Sequence, residues 1–266
     1  TIGQFLMKIS RIMHSKAISL KLKILSHLFV VSLFAFSLSA QARIYAVYNG
    51  AANGVSVRDN TSFEQRKFFD LPQVVNRIAA GPHRNLYVTS ANSIYQYNDR
   101  GNLQTTFTFP NEGIVYGSMS VADGNLFVGY GGVENGVSVR DSRTLEQIRF
   151  TELPHAVGAV TAGGDNDFYV TVDDEVYRYS DSGEQLNVFK FGDPGLVYGD
   201  IAYSNSRIYV TYSGSQQGIS VRDAVSLAQL DFFEPGFTVS GIAAGANDDL
   251  YLTSANNIYR YSIDGT

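Results

Sequence analysis

The 266-residue sequence predicts an all-β fold, a β-propeller of four-stranded blades, on three observations. Gly54-Val55-Ser56-Val57-Arg58-Asp59 returns as Gly136-Val137-Ser138-Val139-Arg140-Asp141 and as Gly218-Ile219-Ser220-Val221-Arg222-Asp223, each copy 82 residues after the last. Each 82-residue unit divides into two similar halves of about 41 residues, the length of one propeller blade. Within the halves, β-branched and aromatic residues alternate with polar ones between Gly, Asn and Asp turns. That pattern marks short antiparallel strands, and helical periodicity is absent from Arg43 onward.

The chain opens with a basic stretch (Lys8, Arg11, Lys16, Lys21, Lys23). An apolar run over 24–38 follows, and then Ser39-Ala40-Gln41-Ala42. Basic flank, short apolar run and small-x-small end are the parts of a secretory signal peptide. Residues 1–42 are therefore expected to be a signal peptide cut after Ala42, with Met7 or Met13 as the start and the product secreted or periplasmic. The run is shorter than the roughly 20 residues of a spanning helix.

From Arg43 to the end, 43–266, the unit aligns without gaps as the propeller domain. With the strands of a blade lettered A to D, this part begins at a B strand, Ile44–Tyr48, and continues through C and D. Four whole blades follow, with A strands near Asn76–Ala79, Gly117–Ser120, Gly158–Thr161 and Gly199–Ala202. A fifth A strand, Ser240–Ala243, leads to B and C strands only. The expectation is a six-bladed ring whose last blade is truncated in this chain. A closing strand would pair with the first B strand and leave no open sheet edge. Eight blades built from four units fit the same period equally well.

The half that carries Tyr209-Val210-Thr211-Tyr212 and Gly218-Ile219-Ser220-Val221-Arg222-Asp223 resembles the YVTN-type propeller repeat of bacterial and archaeal surface proteins. The other half, with Ile242-Ala243, Leu250-Tyr251-Leu252-Thr253 and Ile258-Tyr259-Arg260-Tyr261, resembles NHL and gluconolactonase-type blades. The first unit reads Ala46-Val47-Tyr48 and departs from the YVTN string. The resemblance covers 43–266. It implies a propeller and little about function, because such blades host binding scaffolds, lactonases, lyases and quinone-dependent enzymes alike.

Composition removes several classes. There is no cysteine, hence no disulfide, Cys nucleophile or Cys-ligated metal. The five basic residues of 1–42 leave 15 basic and 25 acidic residues beyond it, a net −10. An acidic body argues against nucleic acid and against an anionic membrane surface as partners. No G-x-S-x-G, phosphate loop or assembled triad is present, and no cofactor or metal is expected.

In an antiparallel blade the B–C and D–A turns share one end of the ring, where propellers usually bind. Tyr48, Tyr130 and Tyr212 end B strands ahead of Gly-rich loops, and Tyr116 and Tyr198 lead into A strands. These rings suit sugars or peptides, and they equally suit wedging between blades. Arg77 and Asp200 fill a slot of their A strands held elsewhere by Ser118, Ala159 and Gly241. In a six-bladed ring they stand opposite across the channel, either as a polar ligand site or as ordinary local charges. His155 falls in a D–A turn, His83 at the opposite end. Asp173, Asp174 and Asp193 share the binding end and are the better of two acidic groups for a metal. The repeated Arg and Asp of the motif read as structural, with Asp capping the next turn.

The function expected is an exported, non-enzymatic binding scaffold for a glycan, peptide or protein, monomeric. The alternative is a periplasmic enzyme of lactonase or lyase type that uses the same end of the ring.

Overall fold

The computed structural model describes residues 33–36, 43–50, 52–110, 114–192, 196–245 and 249–263. Blade 1 comprises β1 (Leu33–Phe36), β2 (Arg43–Tyr48), β3 (Gly54–Asp59) and β4 (Gln65–Asp70). Blade 2 comprises β5 (Arg77–Ala80), β6 (Leu86–Ser90), β7 (Ser93–Tyr97) and β8 (Leu103–Thr108). Blade 3 holds β9 (Ile114–Ala122), β10 (Asn125–Gly132), β11 (Gly136–Asp141) and β12 (Gln147–Glu152). Blade 4 holds β13 (Ala159–Ala162), β14 (Phe168–Val172), β15 (Glu175–Tyr179) and β16 (Gln185–Lys190). Blade 5 holds β17 (Leu196–Ser204), β18 (Arg207–Gly214), β19 (Gly218–Asp223) and β20 (Gln229–Phe233). Blade 6 has three strands, β21 (Gly241–Ala244), β22 (Asp249–Ser254) and β23 (Asn257–Ser262).

Every blade is an antiparallel meander in chain order. The inner strands touch in the cycle β1, β5, β9, β13, β17, β21 and back to β1. The protein is a six-bladed β-propeller, and its last blade has three strands among the described residues. The single helical element among them is a 3-10 turn at Pro82–Arg84.

Two features differ from the sequence reading. The inner slot of blade 1, expected to await a strand from elsewhere, holds β1, whose residues belong to the apolar run that the sequence reading assigned to a signal peptide. β1 pairs with β2 in the register Leu33 with Ala46 to Phe36 with Arg43. An unpaired inner edge leaves backbone groups unsatisfied, and an adjacent apolar segment relieves that. The expected cleavage point after Ala42 lies outside the described residues. The second difference is length. β9 and β17 run nine residues each, against four for β5, β13 and β21. Their partners β10 and β18 are also long, and each pair carries a bulge, at Val128/Tyr130 and at Tyr198/Ile201.

The core lies between blades. Side chains alternate across a strand, and here both faces of every sheet meet a neighbour, so inner strands carry apolar residues on both faces, with polar exceptions such as Arg77, Ser118 and Asp200. Leu86 and Val88 of β6 pack toward blade 1, and Tyr87 between them packs toward blade 3. One apolar cluster fills each of the six interfaces, the one between blades 6 and 1 including Ile44, Ala46, Ala243 and Tyr251.

The thrice-repeated motif forms β3, β11 and β19, and nearly every residue in it has a framework task. A Cβ on Gly54, Gly136 or Gly218 would collide with the ring of Phe68, Phe150 or Phe232. Ser56 and Ser138 donate to Gln65 and Gln147 at 3.0 Å. Arg140 and Arg222 are buried, donate to the carbonyls of Leu145 and Leu227 at 2.8 Å, and lie over Phe107 and Phe189 of the preceding blade. Asp59, Asp141 and Asp223 each accept two N–H groups of the next turn, which holds their carboxyls below the usual carboxylate range. Arg and Asp of the motif do not pair with each other, as strand alternation requires.

Candidate functional site

The B–C and D–A turns form one end of the ring. At this end blades 3 and 5 rise above the others as short two-stranded arms. Their cross-strand partners are Tyr116 with Tyr130 and Tyr198 with Tyr212, so two of the tyrosine pairs singled out in the sequence are brought together. The rings of Tyr130, Tyr198 and Tyr212 are buried in the blade interfaces. Tyr130 is 1% exposed, stacked on Phe150 at 5.3 Å and edge-on to Phe109 at 5.5 Å. Tyr212 stacks on Phe232 at 5.2 Å, and Phe191 lies between it and Tyr198. Burial pushes the hydroxyls of Tyr130 and Tyr212 up to about 12 and that of Tyr198 upward as well. Tyr48 is half-buried, and its hydroxyl accepts a hydrogen bond from Arg58 Nη2 at 3.0 Å. The side chain of Tyr116 lies outside the described residues.

The channel wall is made of strand edges. Each inner strand pairs on one side only, so its other edge faces the axis. Side chains from the A-strand slot staple one inner strand to the next. Ser118 Oγ donates to the carbonyl of Val160 at 3.2 Å, and Ala162 N donates to Ser120 Oγ at 3.0 Å. Asp200, in the slot of Ser118 one unit on, does the same for blades 5 and 6. Ile242 N donates to its Oδ2 at 3.1 Å and Ile201 N to its Oδ1 at 3.0 Å. Thr211 Oγ1 locks the bulge beside it, accepting from Asp200 N at 2.7 Å.

Arg77 and Asp200 stand on β5 and β17, three blades apart and hence opposite in the six-bladed ring. Part of the Asp200 surface stays accessible, yet the ring encloses it. Burial raises its pKa, and the Arg77 guanidinium and the two N–H groups pull against that. Arg77 Nη1 donates to the carbonyl of its neighbour Asn76 at 3.0 Å, and Arg77 forms no ion pair among the described residues.

His155 and Asp173 meet at this end, Nδ1 to Oδ2 3.7 Å, both well exposed. Beside them Lys190 bridges Asp174 and Glu175 at 3.2 Å each, and Tyr177 donates to Glu175. Asp193 lies outside the described residues, and among those described no cluster of three metal-ligating side chains occurs. The acidic pair Asp165 and Asp167 lies at the opposite, A–B end, where Asp167 pairs with Arg178.

Exposed apolar residues were not foreseen at this end. Val133 at a B–C loop tip is 66% exposed, and Val74 and Val197, each leading into an inner strand, are 56% exposed. Their signal was present in sequence: Val133 stands where the next unit has Ser215. The opposite end of the channel holds a cavity of about 360 Å3, lined by the last residues of β9, β13, β17 and β21 with Ser120, Thr161, Tyr203 and Asn205.

No family model matches the chain, and no curated protein matches it. Solved structures do. A protein of unknown function from Bacteroides caccae has a TM-score of 0.66 at 14% identity, over 85% of this chain and 92% of that one. A chain of the mitotic checkpoint complex has 0.61 at 16%, over 82% and 71%. The RRP9 WD40 repeats have 0.58 at 10%, over 85% and 91%. At these identities the likeness is one of fold, and the propeller implied by the repeat resemblance is borne out at that level.

Proposed function

We propose that the protein is an exported, non-enzymatic propeller scaffold that binds a glycan, peptide or protein ligand at the B–C and D–A end. The observation that carries this is a division of labour. Most residues that recur at 82-residue steps are consumed in the framework, whereas Val74, Val133, Arg77 and the His155–Asp173 pair break the repeat and lie at one end, where the exposed Val197 also stands. Exposed apolar side chains beside polar ones suit recognition surfaces. One similar structure belongs to an assembled complex, which fits a scaffold.

Glycan-array and pull-down measurements test the reading with Val133→Asp and Val197→Asp, both on exposed positions. Loss of binding in both supports it; wild-type levels in both overturn it. Export with cleavage after Ala42 predicts a mature N-terminus at Arg43 in protein recovered outside the cytoplasm, which would empty the inner slot of blade 1 that β1 fills, and the scaffold reading predicts a monomer by gel filtration.

The enzyme reading, of lactonase or lyase type, draws support from the His155–Asp173 contact, since a carboxylate at that distance can orient an imidazole for proton transfer. Hydrolysis or elimination that disappears in His155→Ala would favour it over the scaffold.

A further inference from the structure

We propose that the channel mouth at the B–C and D–A end binds a carboxylate group through the guanidinium of Arg77. This rests on the scaffold reading of the same end and names the chemistry recognised there. The slot that Arg77 fills is a framework position that works with small residues. One and two units on it holds Ala159 and Gly241, and β13 and β21 form the same inner strand without a long side chain. The framework therefore has no use for a cation there.

The slot one blade on is different, because Ser118 and Asp200 there reach across to the neighbouring inner strand. Asp200 is spoken for: each carboxyl oxygen already accepts a backbone N–H. Arg77 spends one N–H on the carbonyl of the residue before it. The rest of its planar fork stays free of ion pairs among the described residues, half-buried at the start of β5. Arg77 opens the inner strand β5, three blades from Asp200 on β17 and so facing it across the axis, and its charge is among those that bear on the Asp200 carboxyl.

A planar fork with several free N–H groups matches a carboxylate in two-point contact better than any neutral acceptor. Ala159 and Gly241, two blades away on either side, put no long side chain into the channel, and the channel wall offers strand-edge N–H and carbonyl groups to whatever the carboxylate is attached to. Two sources share this chemistry, a uronic acid and a peptide C-terminus.

The full chain is titrated by calorimetry with galacturonic acid and galactose, and with N-acetyl-dialanine as the free acid and as the amide. At least one acid is expected to bind, and its neutral counterpart not to. Arg77→Gln should weaken that acid by about tenfold or more, and Arg77→Lys should retain part of the affinity. Whichever acid binds identifies the source. Unchanged melting temperature in Arg77→Gln confirms that the fold is intact, as the small residues elsewhere in the slot predict. The proposal is overturned if neither acid binds, if acid and neutral form bind alike, or if Arg77→Gln binds like wild type. If Val133→Asp abolishes capture of a macromolecular ligand while Arg77→Gln changes nothing, the carboxylate proposal falls and the scaffold stands.

Discussion

Tyr251 of blade 6 donates its hydroxyl proton to the carbonyl of Asn60 in blade 1, at 3.1 Å and across 191 residues of chain. The same latch joins Tyr87 to Ser142 at 2.7 Å and Tyr169 to Ala224 at 2.9 Å. In each case a B-strand tyrosine of an even blade reaches the C–D turn of the next odd blade. One repeated residue thus does locally, twice, what it does once to close the ring.

Tyr251→Phe keeps the ring and removes the donor. A single neutral hydrogen bond contributes about 1 kcal/mol, so the urea midpoint should fall by that energy divided by the slope, with the slope itself unchanged. Tyr169→Phe should cost a similar amount. A midpoint that moves only in Tyr169→Phe would mean that the contact between blades 6 and 1 adds nothing to stability.

Arg222 lies 3.5 Å from the centre of the Phe189 ring and donates to Leu227 at 2.8 Å. Lysine keeps the charge and loses the flat stacking surface and the fork. Arg222→Lys should therefore cost roughly 1–3 kcal/mol. Arg58→Lys should cost less, because Arg58 is only half-buried and has no ring beneath it among the described residues. A double-mutant cycle with Phe189→Leu isolates the stacking part of the loss.

The glycine of the motif is required by space. A Cβ on Gly136 would sit 2.7 Å from the Phe150 ring and closer still to the Thr151 carbonyl, which is backbone and cannot swing away. Overpacking of this kind costs roughly 1–3 kcal/mol, so Gly136→Ala should lower the melting temperature. Gly192→Ala, with no atom within 4 Å of the added carbon, should leave it unchanged.

How far the fold was legible depended on whether a signal repeated. Blade length, strand order and the opposition of Arg77 and Asp200 all followed from the 82-residue step, because a ring converts sequence period into angle. The phenylalanines at 68, 150 and 232 repeat at the same step and explain the motif glycines, but which face they cover appears only once strands pair. The tyrosines at the arm ends were placed on the right pairs of strands, and their burial was not readable. Bulges at Gly117-Ser118 of β9 and Gly199-Asp200 of β17 set where the rings point; they recur at the 82-residue step, but which residues bulge shows only once the strands pair. β1 was hidden for a different reason: a short apolar run reads alike as the middle of a signal peptide and as an inner strand. His155 and Asp173 are 18 residues apart in sequence and meet only because their turns share one end.

Acid should weaken the protein through its turn aspartates. The N–H groups of Thr144 and Arg143 hold Asp141 below its ordinary 3.8 in the folded state. Between that value and the lower folded one, the unfolded chain binds a proton that the folded chain does not. Stability therefore rises with pH across the window and is lost as pH falls through it. The urea midpoint of wild type should drop on going below pH 4, and the drop should be shallower in Asp141→Asn. Parallel curves for the two proteins would remove Asp141 from the acid response.

Tyr130 separates packing from recognition. Its ring is buried between Phe150 and Phe109, so truncation leaves a cavity where an aromatic stack was. Removing a buried aromatic costs roughly 3–5 kcal/mol, and Tyr130→Ala should unfold at a distinctly lower urea concentration. Loss of ligand capture in that variant would report on the arm's stability, because the ring presents almost no surface to a partner. Val133, three residues further along the same arm, has the opposite character. Its side chain is 66% exposed, and Val133→Asp should shift stability by less than about 0.5 kcal/mol while changing capture. Denaturation and binding measured on both variants give the contrast. A stable Tyr130→Ala protein that loses binding would show that the ring itself meets the ligand, and the arm's packing would have to be redrawn.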